Sequence, residues 1–291
     1  MGDAPYLERL GARTAQVGSV LCLGIDPDPA ALPDGFGPDL TGIERFVALL
    51  LEAALPHAAA VKPNLAFFEA FGSAGIAALE RLRGRIPPDV PLVADVKRGD
   101  IGSTAARQAV ALFDLLGADA VTVSPYLGGE AIAPFLARPE RFAYVLCRTS
   151  NPGAGELQDL EVAPDPAGPW PAEPLHLRVA RLARLWNARY GTVGLVVGAT
   201  APREMATLRQ AAPDLAFLVP GVGAQGGDAE AALTYGRAVA GVAGTRPAGA
   251  LLVNVSRGIA AAARGAPDPG VAIAAAAAHW AANLPVLQSQ P

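Results

Sequence analysis

The sequence predicts an α/β fold, a single (β/α)8 barrel, and three observations carry that expectation. Eight short apolar runs recur along the 291 residues. Helix-like segments separate them, the alternation that marks βαβ units and a parallel sheet. Polar and glycine-rich residues crowd the C-terminal end of nearly every run, and in a closed barrel that face holds the active site whatever the chemistry. An open doubly wound sheet also alternates, but it rarely needs eight strands and would favour a phosphate loop after the first.

In order, the expected strands are Val20 to Asp26, Ala59 to Asn64, Leu92 to Lys97, Ala120 to Ser124, Phe142 to Cys147, Gly194 to Gly198, Ala216 to Pro220 and Gly249 to Val255. Each is apolar for most of its length, as a strand covered on both faces must be. The expected helices are Gly42 to Leu55, Ala74 to Arg83, Ser103 to Leu116, Leu175 to Tyr190, Pro202 to Ala211, Gly227 to Val242 and Val271 to Asn283. One stretch, Asn151 to Pro174, reads as structureless and is rich in Pro and Gly. A loop of that length in a compact domain is a lid or an insertion. It follows the fifth strand, on the active-site face, and its first part is expected to fold over a ligand. No linker divides the chain, so residues 1–291 read as one barrel domain.

Composition narrows the function. Apolar residues make up 52% and charged residues 17%, values of a soluble globular chain and not of a disordered one. With a net charge of −4 and no dominating basic run, a nucleic-acid surface is not expected and the ligand should be small. Cys22 and Cys147 both lie inside apolar runs and read as buried reduced thiols, which suits the cytoplasm. The N-terminal MGDAPYLERLGARTAQ lacks an apolar signal core, and the Ala-rich VAIAAAAAHWAANL is too short to span a membrane. His57, His176 and His279 fall away from strand ends and read as surface or packing residues. No metal-ligand spacing appears, so no metal is implied.

The chemistry concentrates in Pro91 to Thr104, PLVADVKRGDIGST. Asp95 and Lys97 are two apart and share one side of a strand. Gly99 then breaks the run and Asp100 follows. Charges on the inner face of a buried strand point to a site, not to a solvated end. Lys62 closes the second strand and needs a carboxylate partner, which Asp95 on the adjacent strand can supply. Asp26 ends the first strand as a candidate acceptor for a sugar hydroxyl, and Ser124 ends the fourth as a donor and acceptor for an amide-like edge. After strands seven and eight come PGVGAQGGD and NVSRGI. Gln225, free backbone N–H groups and the Arg257 fork suit a phosphate there. Neighbouring anions should keep Lys97 protonated, so it reads as a proton donor and not as an imine-forming amine. Such a row favours a reaction that creates a carbanion and protonates it; decarboxylation, enolisation and aldol cleavage all fit.

Seven motifs in order, CLGIDPDP, VKPNLAFFE, ADVKRGDIGST, VTVSPYLG, TSNPGA, PGVGAQGGD and NVSRGI, resemble the orotidine 5′-phosphate decarboxylases, particularly their longer bacterial (type 2) subgroup. The resemblance spans nearly the whole chain. It implies decarboxylation of orotidine 5′-phosphate to uridine 5′-phosphate (UMP), the last step of de novo UMP synthesis, without metal or organic cofactor. By position it implies that Lys97 protonates C6 of the pyrimidine and that Asp95 stands beside the departing CO2. Lys62 and Asp26 would contact the ribose, Ser124 the pyrimidine edge, and Gln225 and Arg257 the phosphate. Asp100, Ile101 and Thr104 would reach across a homodimer interface into the neighbouring site. The nearest alternative is a barrel relative sharing DxKxxD, a sugar-phosphate decarboxylase or hexulose-phosphate synthase that uses Mg²⁺. A non-catalytic nucleotide-binding barrel is a second.

Overall fold

Eight parallel strands form the centre of the molecule: β1 Leu21–Ile25, β2 Ala60–Pro63, β3 Val93–Arg98, β4 Ala120–Val123, β5 Phe142–Arg148, β6 Val193–Val197, β7 Ala216–Val219 and β8 Leu251–Val255. The computed structural model describes residues 4–164, 166, 168–223, 226–238 and 250–286. The sheet runs β2-β1-β8-β7-β6-β5-β4-β3. Two parallel bridges, Val61 to Leu92 and Asn64 to Asp95, bring its two edges together. The result is the expected (β/α)8 barrel.

Outside it lie α1 Tyr6–Val17, α2 Leu40–Ala54, α3 Gly72–Arg83, α4 Gly102–Ala109, α5 Leu175–Tyr190, α6 Pro202–Ala211, α7 Ala229–Gly236 and α8 Pro269–Asn283. Carboxylate caps fix three of their starts, one being Asp228, which accepts from Glu230 N at 2.9 Å ahead of α7. Asp39 accepts from Gly42 N at 2.8 Å and Asp268 from Val271 N at 3.0 Å, which satisfies amides that a helix start leaves orphaned. The helix expected to Leu116 changes to a wider π-type turn over Val110–Leu115. Helix α7 ends at Gly236, with Arg237 already extended, short of the expected Val242; Val242 itself and the expected strand start at Gly249 lie outside the described residues.

Strand alternation sorts side chains into two cores. Leu23, Val61, Ala94, Val121, Val145 and Val253 point outward and pack under the helices. Cys22, Ala60, Val93, Ala120, Tyr144 and Leu252 point inward. Helix α1 closes the bottom of the barrel: Tyr6 stacks on Phe142 with ring centroids 5.0 Å apart, and Arg9 pairs with Asp119 at 2.7 Å. Both thiols are buried and free. Burial raises the Cys22 thiol to about 12, which leaves it inert at neutral pH.

The Asn151–Pro174 stretch is not structureless. It contains a 3-10 turn Pro152–Ala154, a helical turn Gly155–Gln158 and a short antiparallel pair, Glu161–Val162 with Glu173–Pro174. Charge pairs hold it. Arg178 and Arg181 grip the buried Glu173 at 2.9 and 2.7 Å. Arg148 donates to both oxygens of Asp159. Pro and Gly content signals the absence of long helices or strands, and it is blind to ion pairs of this kind.

Candidate active site

The inward residues change character along the barrel. At the bottom they are apolar; one or two positions further along each strand they are polar. Asp26 follows Cys22 and Gly24, Lys62 follows Ala60, Asp95 follows Val93, Thr122 follows Ala120, and Asn254 follows Leu252. These polar side chains line a cavity of about 480 Å³ at the C-terminal mouth, a size suited to a small ligand.

Strand β3 departs from regular pairing here. Ala94 pairs with Val121 and Arg98 with Val123, so Asp95, Val96 and Lys97 together face Thr122. The bulge turns Lys97 to φ +48°, the only positive φ on a non-glycine among the described residues. Such strain persists only where the surroundings enforce it, commonly at functional sites. Gly99 completes the turn. A Cβ there would lie 2.5 Å from the Ser124 carbonyl oxygen, which any side chain would violate.

The bulge assembles a charge ladder. Lys62 Nζ donates to Asp95 Oδ2 at 2.8 Å, and Lys97 Nζ donates to Asp95 Oδ1 at 2.6 Å. Lys62 and Asp95 are 4% and 13% exposed at the side chain, whereas Lys97 is 50% exposed and opens on the cavity. Burial pushes the Asp95 carboxyl up, but the Lys62 and Lys97 ammonium groups override it and hold the group well below the usual carboxylate range. Burial pulls Lys62 down, and the Asp95 and Asp26 carboxylates more than offset this, leaving its ammonium above its ordinary value. Both groups are therefore charged at neutral pH.

Other expected residues fall into three groups. Asp26 and Arg257 line the same cavity as Lys97, and Asp26 Oδ1 is buried with no hydrogen-bond partner among the described residues. Asp100, Ile101 and Thr104 are not among the residues lining this cavity; Ile101 is 66% exposed, and Thr104 is exposed beside it. Gln225 lies outside the described residues.

Ser124 departs from expectation. It sits past the end of β4, with its backbone N–H bonded to Arg98 O at 2.7 Å, and it is not among the lining residues. Reading β4 as running to Ser124 carries it one residue past Val123, where pairing with Arg98 resumes after the bulge and the strand ends. Thr149, Ser150 and Gln158 line the cavity instead. Gln158 accepts from Thr149 N at 2.8 Å and donates to Thr149 Oγ1 at 2.9 Å, which folds the start of the long loop over the cavity. His176 is buried, the packing alternative of the sequence reading, and its ring bonds the Gln158 carbonyl at 2.9 Å. Thr122, Gln158 and Asn254 were missed by sequence reading. Thr122 and Asn254 carry the same two-residue register as Asp95 and Lys97; Gln158 carries no comparable signal.

Residues 19–274 match the model of the orotidine 5′-phosphate decarboxylase / HUMPS family. The chain belongs to this family. Its relatives include orotidine 5′-phosphate decarboxylases of Thermomicrobium roseum, 51% identical over 87% of this chain and 86% of the relative, and of Roseiflexus castenholzii, 50% identical over 90% of each. The solved structure of Leishmania donovani OMP decarboxylase superposes with a TM-score of 0.78 at 38% identity, covering 96% of this chain and 97% of that one. The family match covers every strand and every described cavity residue named above.

Proposed function

We propose that this chain decarboxylates orotidine 5′-phosphate to UMP and CO2, the closing step of pyrimidine nucleotide synthesis. The observation that carries the proposal is the Lys62–Asp95–Lys97 ladder at the base of a cavity that also receives Arg257. Relatives at half identity carry the name of this activity over most of their length, which favours it over the hexulose-phosphate branch.

The C6–carboxylate bond breaks with its electron pair left on C6, and CO2 departs beside Asp95. The Lys97 ammonium stabilises the developing carbanion, transfers a proton to C6, and regains one from solvent. Fixed charge in a site prepared before the reaction is commonly the largest catalytic contribution. Lys62 and Asp26 hold the ribose. Thr149 and Ser150 are better placed than Ser124 to meet the pyrimidine edge. Arg257 grips the phosphate, with Gln225 as its expected companion. The test is direct: incubate protein and chelator with orotidine 5′-phosphate and follow loss of the substrate's ultraviolet absorbance. Turnover that survives chelation supports the reading, and turnover of a hexulose phosphate that collapses on chelation contradicts it.

Phosphate contacts supply binding energy that acts away from the reacting carbon. Arg257→Ala is expected to raise the barrier in kcat/KM by about 1.5–3 kcal/mol, the scale of a charged hydrogen bond. Orotidine without phosphate should not notice the change; equal losses on both substrates contradict the assignment.

The chain is expected to act as a homodimer in the cytoplasm. Ile101, Tyr126 and Leu127 are 66%, 77% and 50% exposed, and Asp100 N bonds Ala131 O at 3.4 Å, so the loops after β3 and β4 meet and both carry exposed apolar side chains. Pairing through this face brings Asp100 and Thr104 to a neighbouring site. Ile101→Asp should shift the sedimentation coefficient from dimer to monomer, and a monomeric parent chain contradicts the proposal. Among the described residues no helix is long and apolar enough to cross a membrane.

A further inference from the structure

The feature that the reaction as described leaves unused is Thr122. It is 2% exposed, on the inner face of β4, directly opposite the bulge. Its hydroxyl makes three hydrogen bonds: Oγ1 accepts from Val96 N at 2.9 Å and from Lys97 N at 2.9 Å, and it donates to Asp95 Oδ1 at 2.9 Å. A hydroxyl has two lone pairs and one proton, so its capacity is fully used.

From this geometry we infer that Thr122 is a positioning residue for the decarboxylation, holding Lys97 and Asp95 in register by tying the bulged backbone to the Asp95 carboxylate. The inference rests on the function proposed above. The physical reason is a coupling of two orientations. In a regular strand consecutive amides face opposite neighbours; the bulge turns both the Val96 and the Lys97 N–H toward β4, at the one point where no carbonyl pairs with them. One hydroxyl accepts from both. In doing so it stabilises the left-handed backbone at Lys97, and that backbone directs the ammonium. The hydroxyl proton meanwhile fixes the Asp95 oxygen to which Lys97 Nζ bonds. Backbone and side chain of the proton donor are thus tied to one atom. A lysine released to a neighbouring backbone well would still be charged and present, but misplaced by the ångström or so that costs large factors in rate.

Thr122→Val keeps the shape and removes the hydroxyl, leaving two amides without an acceptor. Thr122→Ser keeps the hydroxyl and loses a methyl. On orotidine 5′-phosphate, Thr122→Val is expected to lower kcat about a hundredfold, the scale of removing one preorganised polar group. Its affinity for UMP should stay within about threefold, because ribose and phosphate contacts are untouched. Thr122→Ser should recover kcat to within about tenfold of the parent. A role in general folding would move UMP affinity and kcat together and would be rescued no better by Ser than by another small residue. If Thr122→Val does not fold, Thr122→Cys replaces it, since a thiol is a weak acceptor of similar size; the order Ser above Cys supports the role. Val retaining kcat within about threefold, or Ser losing as much as Val or Cys, overturns it. A parent chain inactive on orotidine 5′-phosphate refutes the reaction instead, so the two failures are distinguishable.

Discussion

Lys97→Ala is expected to lower turnover of orotidine 5′-phosphate by about 10⁴-fold or more, since it removes both a general acid and a fixed charge. The protein should remain folded. Lys97 is half exposed and its pair with Asp95 opens on the cavity, and ion pairs with one exposed partner contribute little to stability. UMP should still bind, because Arg257 and Asp26 are untouched. Retention of more than about a tenth of the activity, a barrier change under ~1.4 kcal/mol, refutes proton donation by this side chain.

Asp95→Asn should harm both stability and rate. The amide is isosteric, but it leaves Lys62, 4% exposed, without its hydrogen-bonded anion. Breaking a buried pair by removing one partner costs about 3–5 kcal/mol. The effect has a definite pH dependence. The folded pKa of Asp95 is lowered, so its stabilisation is present above its unfolded value near ~3.9 and is lost as pH falls toward the folded one. The folded pKa of Lys62 is raised, so its share is present below ~10.4 and is lost as pH rises beyond. Urea unfolding of parent and variant should therefore differ by a constant amount between about pH 5 and 9 and converge below about pH 4. A difference that widens in acid contradicts the pairing. Activity should fall about a hundredfold or more, since the anion that aligns both ammonium groups is gone.

The barrel was legible because its signals are local. Apolar runs of strand length separated by helical segments require no knowledge of the bulge or the loops. Asp95, Lys97 and Lys62 were legible for a related reason: a period of two puts them on the inner face, and a buried lysine demands a carboxylate. Ser124 and Thr122 show where this stops. Both share the inner register of β4, and sequence reading takes only Ser124, at the strand end. Only the three-for-one mismatch with β3, closed by the Arg98–Val123 pair at which the strand ends, sets Thr122 against the bulge. The fold of residues 151–174 was hidden likewise, since Arg148, Arg178 and Arg181 bind carboxylates that sequence spacing does not associate with them.

All of this depends on the Lys97 ammonium meeting C6 while Arg257 holds the phosphate at the other end of the same nucleotide. A crystal structure of the chain with UMP tests that most directly. Lys97 Nζ should lie within ~3.5 Å of the pyrimidine C6, the range of a near-attack contact, with the phosphate on Arg257. A UMP phosphate seated on Arg257 with Lys97 Nζ turned to solvent, well beyond reach of C6, would contradict it.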